Sequence, residues 1–173
     1  MLNSATVQPS SPQARLAGFL AKYNPEIAAV ARAVLARMRA RLPGATQMVY
    51  DNYNALVIGF GPNERASEAI FSVVLYPKWV SFFFLQGAAL ADPGKVLKGA
   101  GRVVRHMVLK DAADLDQPAV RALMEQALKK AKTPMDTAGR GRMIIKSVSE
   151  KQRRLMAIAA QSRRVADEFE ATA

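Results

Sequence analysis

Hydrophobic residues near the start of the chain recur with the spacing of a helix. Between residues 25 and 42, apolar side chains return every three or four positions, which places them on one face, and the arginines among them lie mostly off it. Asn24 is a residue type typical of helix N-caps, and Pro43 followed by Gly44 ends the pattern. A shorter helix is predicted over residues 13–23.

The pattern changes after residue 46 to runs rich in β-branched and aromatic residues, separated by turn residues. Such runs predict a sheet. The connection from Tyr76 to Trp79 is short, so the third and fourth strands are predicted to be antiparallel neighbours. The five predicted strands cover residues 46–50, 55–60, 69–76, 79–86 and 102–109.

The second half predicts further helices around one extended segment. A helix is predicted over residues 117–132, with Asp116 as its cap and Lys129, Lys130 and Lys132 at the negative end of its dipole. Residues 142–148 form an edge strand or an extended arm. A final amphipathic helix follows, because Ser149 and Gln152 have capping-box spacing.

These elements predict an α+β fold, a two-layer sandwich in which N-terminal and C-terminal helices cover an antiparallel sheet of five to six strands. The polar residues 1–12 are expected to be a disordered leader and residues 13–150 the folded domain. Residues 151–173 are expected to be the final helix, packed on that domain or on a partner.

Composition narrows the function. The chain has 173 residues and no cysteine, which excludes disulfides, zinc–thiolate sites and cysteine nucleophiles. Twenty-five Lys and Arg face 14 Asp and Glu, and the net charge of +11 favours anionic partners. No signal-peptide pattern or apolar run of membrane-spanning length is present, so a cytoplasmic protein without a membrane span is expected.

Three stretches carry a resemblance to a known family: QMVYDNYNALVIGF at residues 47–60, YPKWVSFFFLQG at 76–87 and GAGRVVR at 99–105. They resemble the motif regions of the YdhG-like family, the domain of unknown function 1801, over roughly residues 13–150. The resemblance implies a frataxin-like fold and a role as an intracellular iron chaperone.

The first candidate site is a polar cluster where two predicted strands meet. It contains Tyr50, Asp51, Asn52, Tyr53 and Asn54. Such a cluster lines a polar pocket with Asp51 as its charged anchor, or it forms a turn whose Asp and Asn side chains cap their own backbone.

The second candidate site is a glycine-rich basic segment. Successive glycine amides can surround an anion, and neighbouring basic side chains add charge-assisted contacts. The alternative is a solvated basic strand with a flexible loop leading into it, in which Arg102 and His106 share one face and Arg105 takes the other. The segment matches no nucleotide-binding motif, and a lone histidine makes no two-histidine metal site. Its residues are Lys98, Gly99, Gly101, Arg102, Arg105 and His106.

Two further features leave alternatives open. Trp79 and the three phenylalanines after it belong to the core or to a surface on which bases stack. A basic C-terminal region binds nucleic acid, an anionic membrane surface or a partner groove, unless its helix packs on its own sheet or on a second copy. That region contains Arg140, Arg142, Lys146, Lys151, Arg153 and Arg154.

The leading hypothesis is a non-enzymatic module that binds a small anionic molecule where the polar turn at Asp51, Trp79 and the basic segment at Arg102 meet on one side of the sheet. An iron chaperone and a nucleic-acid-binding protein, acting through the basic second half, are the alternatives. A homodimer through the final helix is also proposed. No set of catalytic residues and no cofactor are predicted.

Overall fold

The computed structural model describes residues 10–152 and residue 163. Within that part of the chain, three α-helices accompany six β-strands, so the α+β class is confirmed. The helices are α1 (Pro12–Leu20), α2 (Pro25–Arg41) and α3 (Pro118–Lys130). The strands are β1 (Thr46–Asp51), β2 (Leu56–Gly61), β3 (Phe71–Leu75), β4 (Val80–Phe84), β5 (Arg105–Leu109) and β6 (Met143–Val148). Short 3-10 turns lie at Ala66–Glu68, Gly87–Ala89 and Ala112–Asp116.

The strands form one sheet in the order β5-β4-β3-β2-β1-β6. Strands β1 to β5 each pair with the next strand in sequence, and each of these pairs is antiparallel. Strand β6 pairs with β1 and runs parallel to it. The sheet is therefore mixed, which corrects the prediction of an antiparallel sheet. The chain returns beside the start of β1, where the Gly141 amide donates to the Pro43 carbonyl at 2.6 Å and the Gln47 amide to the Arg142 carbonyl at 2.7 Å. Strand β6 can then only run in the direction of β1.

All three helices pack against one face of the sheet. The core there joins the apolar stripe of α2 to every second residue of the strands, as alternation requires. Phe60, Phe71, Phe82 and Phe84 form the aromatic part of this core and are fully buried. The opposite face, which α1, α2 and α3 leave uncovered, is called the open face. On this face Val74 and Ser81 are nevertheless buried, Val108 is exposed, and the others are half-buried: Tyr50, Val57, Phe83 and His106.

Two predicted caps are wrong in detail. Asn24 lies at the N-cap of α2, but its side chain makes no capping hydrogen bond. The N-cap of α3 is Gln117, not Asp116. The Asp116 carboxylate instead pairs with arginines of α2 and is not available to the amides of α3.

The ends of several elements also differ from the prediction. Helix α1 ends at Leu20, and β5 begins at Arg105, so that Arg102 lies in a loop. Most of the predicted leader and almost all of the predicted final helix, with its proposed docking or dimerisation, lie outside the described residues. No helix among the described residues has the length and apolar character needed to cross a membrane.

Candidate functional site

The polar cluster after β1 forms a tight turn. The Asn52 amide donates to the Ala55 carbonyl at 3.0 Å, and Tyr53 and Asn54 are exposed at its tip. Asp51 is fully buried on the helix side of the sheet, where it accepts a hydrogen bond of 2.6 Å from Gln152 Nε2. Its side chain therefore fastens the segment after β6 and does not line an open pocket. A turn is therefore present as predicted, but the Asp51 carboxylate, which was expected to cap the backbone of this turn, binds Gln152.

Tyr50, the remaining member of that cluster, lies on the open face. Its hydroxyl contacts the sulfur of Met48 at 3.9 Å. Partial burial raises the pKa of Tyr50 above its ordinary value, so the phenol stays neutral at physiological pH.

The basic segment does come together at one corner of the sheet. Lys98 and His106 exchange two backbone hydrogen bonds, of 2.7 and 3.0 Å, which extends the sheet by one residue beyond β5. Gly99 has a φ of 122°, in the region that favours glycine, and lies 3.7 Å from His106 Nδ1 when measured from the position a Cβ would take.

Arg105 is used within this loop. Its guanidinium donates to the carbonyl oxygens of Gly101 and Val104, the latter at 2.8 Å. The side chain thus closes the loop over its own backbone, whereas Arg102 is exposed. Contacts therefore join five of the six predicted residues: Lys98, Gly99, Gly101, Arg105 and His106. The guanidinium of Arg105, however, is already bound to carbonyl groups.

The two predicted halves of the site do not meet. Three strands separate β1 from β5, a distance of roughly 19 Å across the sheet. Along the strands, Asp51 lies level with Leu109 at the end of β5, whereas Arg105 lies at its start. The groups occupy diagonally opposite corners, and the predicted convergence is wrong. Strands joined in sequence by short turns lie side by side, so the first and the fifth cannot be adjacent.

Trp79 joins neither half. It lies in the turn between β3 and β4, at the end of the sheet that carries Asp51. Its ring stacks on Tyr76 with 4.8 Å between centroids, and 44% of the residue is exposed. It is not part of the core, unlike Phe82 and Phe84.

The structure places a cavity of about 420 Å³ elsewhere, at the end of the sheet opposite Asp51. Three segments that are distant in sequence form its walls: residues 67–70, residues 86–90 and the end of α3 with the residues after it. Most of the wall is apolar, and Glu68, Lys130 and Lys132 are its charged members. The lining residues are Ser67, Glu68, Ala69, Ile70, Gln86, Ala89, Leu90, Ala127, Lys130, Ala131, Lys132 and Thr133.

Hydrogen bonds from α3 hold one wall of this cavity. The Gln126 amide group both donates to and accepts from the backbone of Ala91, each at 3.0 Å. Lys130 Nζ donates to the Ala89 carbonyl at 2.8 Å. The segment around Gly87–Ala89 is therefore fixed to the helix, so the cavity is preformed on that side.

Glu68 holds the opposite wall. Its carboxylate accepts a hydrogen bond of 2.6 Å from Asn63 and one of 3.3 Å from Arg65. Hydrogen bonds from Asn63, then Thr133, then Arg65 lower the pKa of Glu68, so the group is ionised at neutral pH. The same carboxylate borders a more open depression of about 530 Å³ that also contains Glu64 and Arg142.

None of the residues predicted for the site lines this cavity. The sequence contained one usable signal, the lysines at positions 129, 130 and 132, which helix dipole chemistry explains without a ligand. Which of them faces a cavity depends on where α3 packs, and neither periodicity nor spacing supplies that information.

Within residues 10–152, no three His, Asp or Glu side chains are grouped so that they could hold a metal ion. This part of the chain therefore offers no clustered ligands for the iron role that the resemblance implies. No protein-family model, no curated protein and no solved structure matches the chain, and membership of the YdhG-like family remains a prediction.

Proposed function

We propose that the protein binds a small molecule with an apolar body and an anionic group, in the cavity between residues 67–70, residues 86–90 and the end of α3. The observation that carries the proposal is the cavity itself, with apolar walls and two lysines among its lining residues. A volume of about 420 Å³ lies within the range of ligand pockets, roughly 300–1,000 Å³.

The charges indicate how the ligand is oriented. Lys130 at the end of α3 and Lys132 just after it line the cavity and provide donors for a carboxylate or phosphate. Lys130 keeps two N–H donors beside the one that it gives to the Ala89 carbonyl. Ala127, Ala131 and Ile70 offer apolar surface to the rest of the molecule. The ionised carboxylate of Glu68 accepts a hydrogen bond and favours a ligand that also carries a hydroxyl or amino group.

Matched probes test the charge requirement. Titrations of the full chain with hexanoate, 4-phenylbutyrate and the uncharged hexanamide, followed by calorimetry and amide chemical shifts, should show tighter binding of the two carboxylates. Lys132→Met leaves the bond between Lys130 Nζ and the Ala89 carbonyl in the cavity wall intact. It should weaken carboxylate binding about tenfold, because it removes a hydrogen bond to a charged group. The affinity for hexanamide should change little.

Lys129 provides a matched control, because it is exposed on α3 next to Lys130 and does not line the cavity. Lys129→Met should leave hexanoate binding unchanged. Filling the cavity with Ala131→Phe should abolish binding of all three probes. Equal affinity for hexanoate and hexanamide would contradict the proposal, and so would an equal loss on Lys129→Met.

A further inference from the structure

A loop at the end of the sheet opposite Asp51 exposes two consecutive apolar side chains. It comprises residues 98–104, directly before β5, and is called the valine loop; all of its residues are exposed. Val103 is 44% exposed and Val104 is 39% exposed. Among the large exposed hydrophobic residues of the described part of the chain, no other two are consecutive. Single exposed valines are ordinary, whereas adjacent ones indicate a surface that contacts something apolar.

Hydrogen bonds hold the valine loop against the wall of the cavity. The amide of Ala88 donates to the carbonyl oxygen of Val103 at 2.9 Å, and Ala88 belongs to the segment that forms one cavity wall. The guanidinium of Arg105 donates to the carbonyl oxygen of Val104 at 2.8 Å. The backbone of both valines is thus bonded within the protein, while their side chains stay exposed beside the cavity.

The two ends of the sheet differ in charge. The connections at the end with the valine loop contain nine Lys and Arg but four Asp and Glu, whereas those at the Asp51 end contain four and three. A negatively charged surface is therefore attracted to the valine-loop end. The connections at the valine-loop end are residues 62–70, 85–104 and 129–142, and those at the Asp51 end are residues 21–24, 52–55, 76–79, 110–114 and 149–152.

The acids at the valine-loop end are already bonded within the protein. Asp92 and Asp136 accept hydrogen bonds from backbone amides of their own loops. Glu64 and Glu68 form ion pairs with two of the nine basic residues, Arg142 and Arg65. Among the described residues, no carboxylate pairs with the other seven. Their positive charges therefore remain available to a partner.

We infer that the valine-loop end docks on an anionic membrane surface, with Val103 and Val104 inserted among the lipid headgroups. Basic residues are attracted to anionic lipids, and apolar side chains gain free energy when they leave water for the boundary of the acyl chains. Nucleic acid presents phosphates to the charges but buries its apolar base faces in the stack, so it would leave both valines in water. A second copy of this end is disfavoured, because like charges would face each other.

This inference goes beyond the cavity proposal and does not depend on it. The two are compatible, because the cavity lies at the same end of the sheet as the valine loop. Docking in this orientation brings the cavity to a surface that contains molecules with an apolar body and an anionic group.

Vesicle sedimentation tests the docking. The full chain should bind vesicles of phosphatidylcholine mixed with phosphatidylglycerol. It should bind pure phosphatidylcholine vesicles about tenfold or more weakly, because each basic residue near an anionic surface contributes about fivefold. Val103→Ser with Val104→Ser should weaken binding to the mixed vesicles about tenfold, because it removes the apolar surface that inserts. Val108→Ser with Val148→Ser is the matched control, since both valines are 45% exposed and lie toward the Asp51 end.

A charge-matched pair of variants separates this end from the overall charge. Lys98→Ala with Arg102→Ala removes two charges of the valine loop and should weaken binding to the mixed vesicles about tenfold or more. Lys22→Ala with Lys78→Ala removes the same charge from exposed positions at the Asp51 end. It should weaken binding less than about twofold, because charges far from the lipid surface are screened.

Tryptophan fluorescence reports the orientation. Trp79 is the only tryptophan and lies at the Asp51 end, so brominated phosphatidylcholine in the mixed vesicles should not quench it. Val104→Trp in a Trp79→Phe background places the only tryptophan in the valine loop, and brominated lipid should then quench its fluorescence.

Four results would overturn the inference: no binding to the mixed vesicles, an equal loss of binding in a variant pair and its control, quenching of Trp79 by brominated lipid, or displacement of the vesicles by an equal concentration of short duplex DNA. Two variants tell failure of the cavity proposal from failure of this one. Val103→Ser with Val104→Ser should bind hexanoate as the native chain does, and Ala131→Phe, which fills the cavity, should still bind the mixed vesicles.

Discussion

The hydroxyl of Tyr23 donates a hydrogen bond of 3.1 Å to the carbonyl oxygen of Leu75. It also accepts one of 3.2 Å from the backbone amide of Leu56. A single side chain from the connection between α1 and α2 thus bridges β2 and β3 at the end of the sheet where Leu56 lies opposite Leu75. Because all three residues are buried, water cannot replace these bonds.

Tyr23→Phe should therefore lower the free energy of unfolding by about 1–3 kcal/mol, the usual cost of leaving buried polar groups without a partner. Urea unfolding followed by far-UV circular dichroism measures it. Tyr53→Phe is the matched control. Because Tyr53 is 45% exposed, this substitution should leave the free energy of unfolding almost unchanged. An equal effect of the two substitutions would show that the bridge contributes no stability.

Asp116 is shared by arginines from two helices. It pairs with Arg37 and Arg41 of α2, and with Arg121 of α3 at 3.9 Å. Burial, then the neighbouring charges of Arg121 and Arg37, lowers the pKa of Arg41. Asp116→Asn removes the carboxylate that these three arginines share and should lower the free energy of unfolding by about 1–2 kcal/mol. Each partly exposed ion pair contributes little, but without the carboxylate the three arginines repel one another.

Salt distinguishes this repulsion from a loss of packing. The free energy of unfolding in urea should differ less between Asp116→Asn and the native chain at 500 mM NaCl than at 20 mM NaCl, because salt screens exposed charges. Glu125→Gln, on the exposed side of α3, should give no comparable difference at either salt concentration. A salt-independent loss in Asp116→Asn would mean that the charges are not its cause.

Much of the fold could be predicted from local patterns. Helices α2 and α3 and the five strands of the meander follow directly from apolar periodicity and turn residues, since each pattern reflects burial on one side of a single element. The direction of β6 could not be predicted in this way. It depends on contacts made far from β6 in sequence, between Gly141 and Pro43 and between Arg142 and Gln47.

The candidate site could be predicted even less well, because it also depends on contacts between segments that are far apart in sequence. A cluster such as Tyr50 to Asn54 is visible because its residues are consecutive, but consecutive polar residues at a strand end are what a turn requires. The cavity is built from residues 67–70, 86–90 and 127–133, none of which is distinctive alone. The strand order itself could have been used, because a meander places β1 and β5 four strands apart and so argues against a shared site.

Glu68 predicts a dependence on pH. Its pKa is lowered in the folded protein, mainly by the hydrogen bonds from Asn63 and Thr133. A group whose folded pKa is depressed contributes stability that is fully present above its unfolded pKa and is lost as the pH falls through the lower, folded value. The contribution of Glu68 should accordingly be constant at neutral pH and disappear only in acid.

Thr133→Val should raise the pKa of Glu68 toward its ordinary value, because one donor to the ionised form is removed. Titration of the side-chain carboxyl carbon by NMR measures the change directly. Glu125, which lies on α3 outside both cavities, serves as the internal control, and its carboxyl carbon should have the same chemical shift in the two proteins at neutral pH. An unchanged titration of Glu68 in the variant would show that Thr133 is not a donor to it.

Gly141 lies where the chain returns to pair with β1. A Cβ at this position would lie 2.3 Å from the carbonyl oxygen of Ala45 and 2.8 Å from that of Pro43, so backbone would have to move. Gly141→Ala should cost about 1–3 kcal/mol, as other overpacked substitutions do. It should also speed hydrogen exchange of the Gln47 amide, whose acceptor is the carbonyl of the next residue, Arg142.

The same substitution, glycine to alanine, should change stability in the opposite direction at Gly18. It lies inside α1, is exposed, and has nothing within 4 Å of the position that a Cβ would take. Gly18→Ala should raise the free energy of unfolding by up to about 1 kcal/mol, because alanine is the better helix former. If Gly141→Ala also raised the free energy of unfolding, the close approach of β6 to the residues before β1 would not be what requires glycine at position 141.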